Sequence, residues 1–182
     1  VALVADGAVV AIAAKHHLAN DGVHYEPRWF SSWPLDKQGE WSDGENTLPF
    51  GDVRAQWAGQ TIAFEICEDA WRGQARTGYH HAQQGARLLF NPSASHFAFQ
   101  KTDIREKLVL QGSRLCQGIY LYANLLGNEA GKMIYDGEIM VAQNGNMIQM
   151  NDRLSFGDWN LTWTEMDTEA PENTPRRSLK HY

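Results

Sequence analysis

Gln60-Thr61-Ile62-Ala63-Phe64-Glu65-Ile66-Cys67-Glu68-Asp69-Ala70-Trp71 decides how this chain is read. Thr61 to Ile66 is β-branched, aromatic and mostly apolar, the composition of a buried strand. The apolar run stops at Cys67, and two carboxylates follow. A thiol where a strand ends is fixed by a rigid scaffold yet open to a ligand, which suits a nucleophile. A free cysteine also packs as a small hydrophobe, so the strand alone leaves both readings open.

Two further segments have the same form, a strand followed by a polar loop. Upstream, Val9 to Ala14 runs into Lys15-His16-His17-Leu18-Ala19-Asn20-Asp21-Gly22 and then Glu26-Pro27-Arg28-Trp29-Phe30. Lys15 stands where the strand gives way to the loop, able to put a cation into a cleft or simply to be solvated. Downstream, Arg87 to Asn91 reads as a short buried strand and runs into Pro92-Ser93-Ala94-Ser95. The hydroxyls there offer neutral hydrogen bonds to a polar ligand or cap the next helix, and Lys101 opens that helix. Three strand ends, each with a polar loop, converge at one edge of a sheet, where open α/β folds bind ligands.

The remaining elements follow from periodicity and punctuation. Val1 to Ala14 reads as a hairpin about Asp6-Gly7. Lys15 to Phe30 and Ser31 to Gly51 read as long loops, and Val53 to Trp57 as an edge strand. Trp71 to Gly85 and Lys101 to Gln117 read as helices, the second with Ile104, Leu108, Val109, Leu110 and Leu115 on an apolar side and Gly118 as its stop. Ile119 to Asn124 is a strand, Met133 to Ala142 with Met147 to Met150 a hairpin about Asn144-Gly145, and Leu161 to Met166 a last strand. Strand, helix, strand, helix and then hairpins make a layered α/β domain with a mixed sheet.

Composition limits the function. The chain has 182 residues, 43% hydrophobic and 21% charged, enough for one sizeable globular core. The formal net charge of −6 gives no electrostatic support for binding nucleic acid or an anionic membrane. No apolar stretch reaches membrane-spanning length. Two cysteines, Cys67 and Cys116, make no disulfide framework, which fits a reducing cytoplasm. Cys116 falls inside a helix and reads as packing. The adjacent pairs His16-His17 and His80-His81 lack the facing geometry of helical metal ligands, so no metal is expected.

Lys15, then Ile66-Cys67-Glu68-Asp69, then Asn91-Pro92-Ser93-Ala94-Ser95, in that order, resembles the nitrilase (carbon–nitrogen hydrolase) superfamily. Phe64 to Trp71, the Lys15 and Glu26 segments, Tyr120 to Asn124 and Ile134-Tyr135-Asp136-Gly137 are similar more narrowly to the glutaminase domain of glutamine-dependent NAD synthetase. The resemblance covers about residues 1–167, with 168–182 left as a linker or tail. It implies a nitrilase-like α-β-β-α sandwich with mixed sheets. The family's triad is Glu, Lys and Cys; Lys15 and Cys67 match two members. The third belongs to an earlier strand and loop, so the domain is expected to lack its N-terminal portion here.

The resemblance further implies roles. Cys67 attacks the side-chain amide of glutamine. Lys15 and the backbone N–H of Glu68 stabilise the oxyanion, and Glu26 positions the lysine. Ser93, Ser95 and Lys101 bind the α-amino and α-carboxylate ends, and Trp71 walls the pocket. This domain needs no cofactor. ATP and Mg²⁺ are implied for a separate synthetase domain that receives the ammonia, and homo-oligomerisation is usual for such domains. Two alternatives stay open: another nitrilase-type amidase, and a scaffold domain that is inactive without the third triad member.

Overall fold

The structure, a computed structural model, describes residues 1–129 and 132–168. The tail assigned to 168–182 lies, beyond Thr168, outside the described residues.

Strands β1 (Ala2–Ala5), β2 (Ala8–Ala13), β3 (Gln38–Ser42) and β4 (Thr47–Gly51) form one sheet in the order β1-β2-β4-β3. Strands β5 (Ala55–Trp57), β6 (Gln60–Phe64), β7 (Leu88–Ser93), β8 (Ile119–Asn124), β11 (Ile139–Gln143) and β12 (Asn146–Met150) form the main sheet, in the order β12-β11-β8-β7-β6-β5. Strands β9 (Leu126–Glu129) and β10 (Met133–Asp136) pair separately. In the main sheet β6, β7 and β8 are parallel, and antiparallel strands flank them on both sides. The parallel centre requires crossovers. Helices α1 (Thr77–Gln83) and α2 (Lys101–Cys116) provide them.

Alternation along the central strands divides the core into two faces. Ala63, Leu89, Tyr120 and Ala142 stand in register and are buried against Leu108 and Val109 of α2. Their neighbours Ile62, Leu88, Ile119 and Val141 line the opposite face, with Phe64, Phe90 and Leu121 packed against them. Phe64 also packs on Ala11, Ala13 and Val53, which joins the four-stranded sheet to the main one. Helix α2 comes close to the sheet at Gly112, where an added Cβ would lie 2.4 Å from the Tyr120 ring.

Several expectations are corrected. The 31–51 stretch contains the β3/β4 hairpin, closed by Asp43, whose carboxylate accepts the N–H groups of Glu45 and Asn46 at 2.9 and 2.7 Å. Trp71 to Gly85 is not one helix: 3₁₀ turns at Cys67–Trp71 and Gly73–Ala75 precede α1, and the extended backbone of Arg76 separates them from it. The buried stripe of α2 is Arg105, Leu108, Val109, Gly112, Ser113 and Cys116, while Ile104 is exposed. Arg105 is drawn inward by buried carboxylates, which turns Ile104 outward. Gln117, not Gly118, adopts the left-handed helix cap, at φ +48°. Gly118 instead permits close approach, since a Cβ there would sit 2.1 Å from the Arg87 carbonyl oxygen. Met133 to Ala142 is broken at Gly137-Glu138, and Leu161 to Met166 forms no strand. His16 and His81, one from each adjacent pair, meet beside Asp52.

Candidate active site

Cys67 follows β6 by three residues and opens the 3₁₀ turn Cys67–Trp71. Its φ of +49° is left-handed, a conformation that side chains with a Cβ seldom adopt. Such strain persists only where neighbouring contacts impose it, and it concentrates at functional sites. Here Asp69 is the main constraint. Its fully buried carboxylate accepts the Ile66 N–H at 3.1 Å and the His17 N–H at 2.6 Å. It also lies 3.1 Å from the His17 ring Nδ1. One carboxylate therefore ties the cysteine turn to the loop that carries Lys15. Burial pushes Asp69 above the ordinary carboxylate range, against the downward pull of the His17 N–H.

Behind the turn lies a second buried network. Glu65 receives Arg76 through Nη2 at 2.6 Å and Nε at 3.1 Å, the Tyr120 hydroxyl at 2.6 Å and the Gly78 N–H at 2.7 Å. The Asn91 amide donates to Tyr120 Oη at 2.8 Å, and the Ser93 hydroxyl donates to Asn91 Oδ1 at 2.6 Å. With both Glu65 oxygens engaged by these donors, the carboxylate braces the strand end and is not presented to a ligand.

Cys67 opens onto a cleft of about 190 Å³. Asp21 and His24 come from the loop after β2, Glu68 and Trp71 from the cysteine turn, and Ser95, His96 and Lys101 from the segment after β7. The three strand-end loops expected to converge therefore do so. Asp21 accepts the N–H groups of Val23 and His24 at 3.0 and 2.8 Å; burial pulls its pKa up, but these bonds outweigh it and hold the group below the usual range. Burial, and then the Arg105 guanidinium, lower the Lys101 ammonium from its ordinary value. The Lys101 Nζ lies 3.3 Å from His96 Nε2, and burial followed by that ammonium lowers the His96 imidazole. Glu68 pairs with Arg72 at 3.0 Å.

Two expected site residues are placed differently. Ser93 is not among the residues lining the cleft; its hydroxyl ends the Glu65 network. Lys15 is likewise not among them. Its Nζ donates to both oxygens of Glu26 at 2.6 Å, and Glu26 also accepts the Ala19 N–H at 2.5 Å. Glu26 thereby fixes the Lys15 ammonium in place. Ser95 lines the cleft with backbone held on both sides: its N–H donates to Asn124 Oδ1 at 2.8 Å, and its carbonyl accepts from Asn124 at 2.9 Å and Arg105 at 2.7 Å. Arg105 is itself fixed by Asp136 at 2.6 Å and Glu138 at 2.8 Å.

Sequence reasoning missed Asp69, Arg76, Arg105, Asp136 and Glu138. The available signal was charge inside apolar periodicity, since Arg105 falls on the stripe of Leu108 and Val109. The two thiols differ as expected. Cys116 is fully buried, and burial pushes it up to about 12, whereas Cys67 is only part-buried and faces the cleft.

No protein-family model matches the chain. It is 31% identical over 175 residues to the glutamine-dependent NAD(+) synthetase of Saccharomyces cerevisiae, covering 90% of this chain and 24% of that protein. The mouse synthetase is 30% identical over 170 residues, 88% of this chain and 23% of that protein. The chain thus spans about a quarter of the length of the curated relatives it matches. Among solved structures, the glutamine-dependent NAD(+) synthetase from Cytophaga hutchinsonii is 50% identical, with a TM-score of 0.77 over 86% of this chain and 25% of that one. A carbon–nitrogen hydrolase from Helicobacter pylori, at 18% identity and a TM-score of 0.59 over 76% of this chain and 47% of that one, shares the fold. Over most of its length the chain is thus similar to one part of glutamine-dependent NAD(+) synthetases, and its fold is that of the nitrilase-like carbon–nitrogen hydrolases.

Proposed function

We propose that this chain, over residues 1–167, hydrolyses the side-chain amide of glutamine and supplies ammonia for NAD synthesis. The observation that carries the reading is a thiol in a strained backbone conformation, opening onto a cleft whose walls bear both a carboxylate and an ammonium. Such a cleft suits a zwitterionic amino acid. Lys101 pairs with its α-carboxylate and Asp21 with its α-ammonium, while Ser95 and Trp71 shape the walls.

Cys67 acts as the nucleophile through its thiolate. Sulfur attacks the amide carbon, and the carbonyl electron pair moves onto oxygen. The Glu68 N–H stabilises that oxyanion; Lys15, to which the resemblance gives the same task, is held by Glu26 outside the cleft lining and must turn from it toward Cys67 to take part. As the pair returns, the carbon–nitrogen bond breaks, and the triad's general base, having taken the Cys67 thiol proton, passes it to the departing nitrogen, which leaves as ammonia. Water then cleaves the thioester, releasing glutamate and restoring the thiol. The general base of the superfamily triad is none of the carboxylates matched here: Glu26 is engaged by Lys15, and Glu65 by Arg76. Ammonia passes to a synthetase domain that uses ATP and Mg²⁺, whereas the hydrolase step takes no cofactor of its own. The setting is cytoplasmic, and the assembly is homo-oligomeric.

Cys67→Ser in the full-length protein tests the reading. Ammonia release from glutamine should vanish while the circular dichroism spectrum is unchanged. Turnover retained within tenfold would refute the nucleophile.

A further inference from the structure

Away from the cleft, three buried side chains from three elements converge, and three of their polar atoms have no hydrogen-bond partner among the described residues. His16 follows β2, Asp52 follows β4, and His81 lies on α1. They are 8%, 1% and 1% exposed. One potential ligand atom from each lies within 4.8 Å of the other two. His81 Nδ1, His81 Nε2 and Asp52 Oδ1 have no hydrogen-bond partner among the described residues. Leaving three such atoms dry is costly, and native interiors seldom do so without a water or an ion.

From this arrangement we propose a site for a divalent first-row transition ion, with zinc as the probe, held by His16 Nε2, His81 and Asp52 Oδ1. Distance favours an ion over a direct bond. His81 Nδ1 and Asp52 Oδ1 are 3.6 Å apart, too long for a hydrogen bond. Two ligands on a tetrahedral ion with bonds of about 2.0 Å stand about 3.3 Å apart. The tautomer is also prepared. The Nδ1–H of His16 donates to the Trp33 carbonyl at 2.8 Å, which leaves Nε2 to ligate, as outer-shell carbonyls commonly arrange for metal-binding histidines. Two imidazoles and one carboxylate form a donor set suited to such ions, with water completing the shell.

The other oxygen of Asp52 is occupied elsewhere. Oδ2 accepts the Asp36 N–H at 2.9 Å and lies 3.6 Å from Arg54 Nη1 and 3.5 Å from His80 Nε2. The guanidinium opposes a cation, but it faces the oxygen turned away from the two ligating imidazoles. An ion here would clasp the four-stranded sheet to the helix layer, one residue from Lys15. Its part is structural, and it takes no step in the amide chemistry.

The test uses the full chain, stripped with a chelator and titrated with Zn²⁺ and then Co²⁺. Zn²⁺ should be retained at one ion per chain after desalting and should raise the melting temperature. Co²⁺ should give the intense visible bands of a low-coordinate nitrogen–oxygen site. His81→Asn and His16→Asn should each weaken Zn²⁺ affinity about tenfold or more. His24→Asn should leave affinity unchanged; it belongs to a separate, more open group with Asp21 and His96. No retained zinc with no rise in melting temperature would overturn the proposal, as would loss of binding in His24→Asn alone. If the ligand variants fail to fold, the cobalt spectrum of the unmodified chain decides: the pale spectrum of the aqueous ion overturns the site.

Discussion

Cys67 holds a φ of +49°, which costs a residue with a Cβ on the order of 1–3 kcal/mol. Asp69 sustains it through the Ile66 and His17 N–H groups. Glycine has no Cβ to strain, so Cys67→Gly should leave equilibrium stability unchanged or raise it by up to about 1 kcal/mol, read by chemical denaturation, while ending glutamine turnover. A loss of stability above that margin would mean that packing of the sulfur, not backbone strain, dominates. Asp69→Asn exchanges an acceptor-only group for one that must also present donors to backbone N–H groups. It should destabilise by about 1–3 kcal/mol and depress turnover even though Cys67 and Lys15 are intact. At this scale the sequence was half legible. A thiol at the end of an apolar run can be seen in a string of letters. The partner that binds its turn to a loop about fifty residues earlier cannot, because a single Asp beside a Glu carries no mark of burial.

The parallel strands β6, β7 and β8 and the helix α2 were legible because each is a short apolar run or a long periodic one with clear stops. Their faces were not fully legible. Arg105 occupies a stripe position of α2 that composition reserves for an apolar residue, and only the buried carboxylates of Asp136 and Glu138 explain it. The β3/β4 hairpin was missed because Gln38–Ser42 is mostly exposed with Trp41 as its one large apolar side chain, and the alternation of Leu48 and Phe50 in Thr47–Gly51 is short and interrupted by Pro49. The helix expected from Trp71 was too long because spacing cannot register the breaks at Arg72 and Arg76. The element-scale prediction concerns Gly112. A Cβ there meets the Tyr120 ring at 2.4 Å, so Gly112→Ala should destabilise by about 1–3 kcal/mol despite alanine's better helix propensity. A melting temperature equal to or above that of the parent chain would show that α2 can lift off the sheet without penalty.

Across the whole molecule, buried ion networks on two sides of the cleft hold the three loops in place. Their pH dependence has a definite sign. Burial raises the Asp136 pKa, but the Arg105 bond followed by the Asn124 bond outweighs it, leaving Asp136 below its ordinary 3.8. A depressed carboxylate stabilises the fold above its unfolded pKa, and that contribution is lost as pH falls through the folded value. Acid titration should therefore show stability declining below about pH 4, with the decline reduced in Asp136→Asn relative to that variant's own neutral value. An equally steep decline in the variant would assign the acid sensitivity elsewhere. A layered α/β domain with a mixed sheet was foreseeable from element order, and the two-sheet sandwich only from the resemblance; the joining of the sheets through Phe64 was not, because Phe64 serves both faces of the junction. The central claim is that one thiol of two is chemically live and sits where glutamine binds. It is tested by treating the full-length protein with a glutamine-analogue electrophile and locating the adduct by peptide mass spectrometry. The account predicts modification at Cys67, blocked by excess glutamine, with Cys116 untouched. Equal labelling of both thiols, or labelling of Cys67 that glutamine does not block, would contradict it.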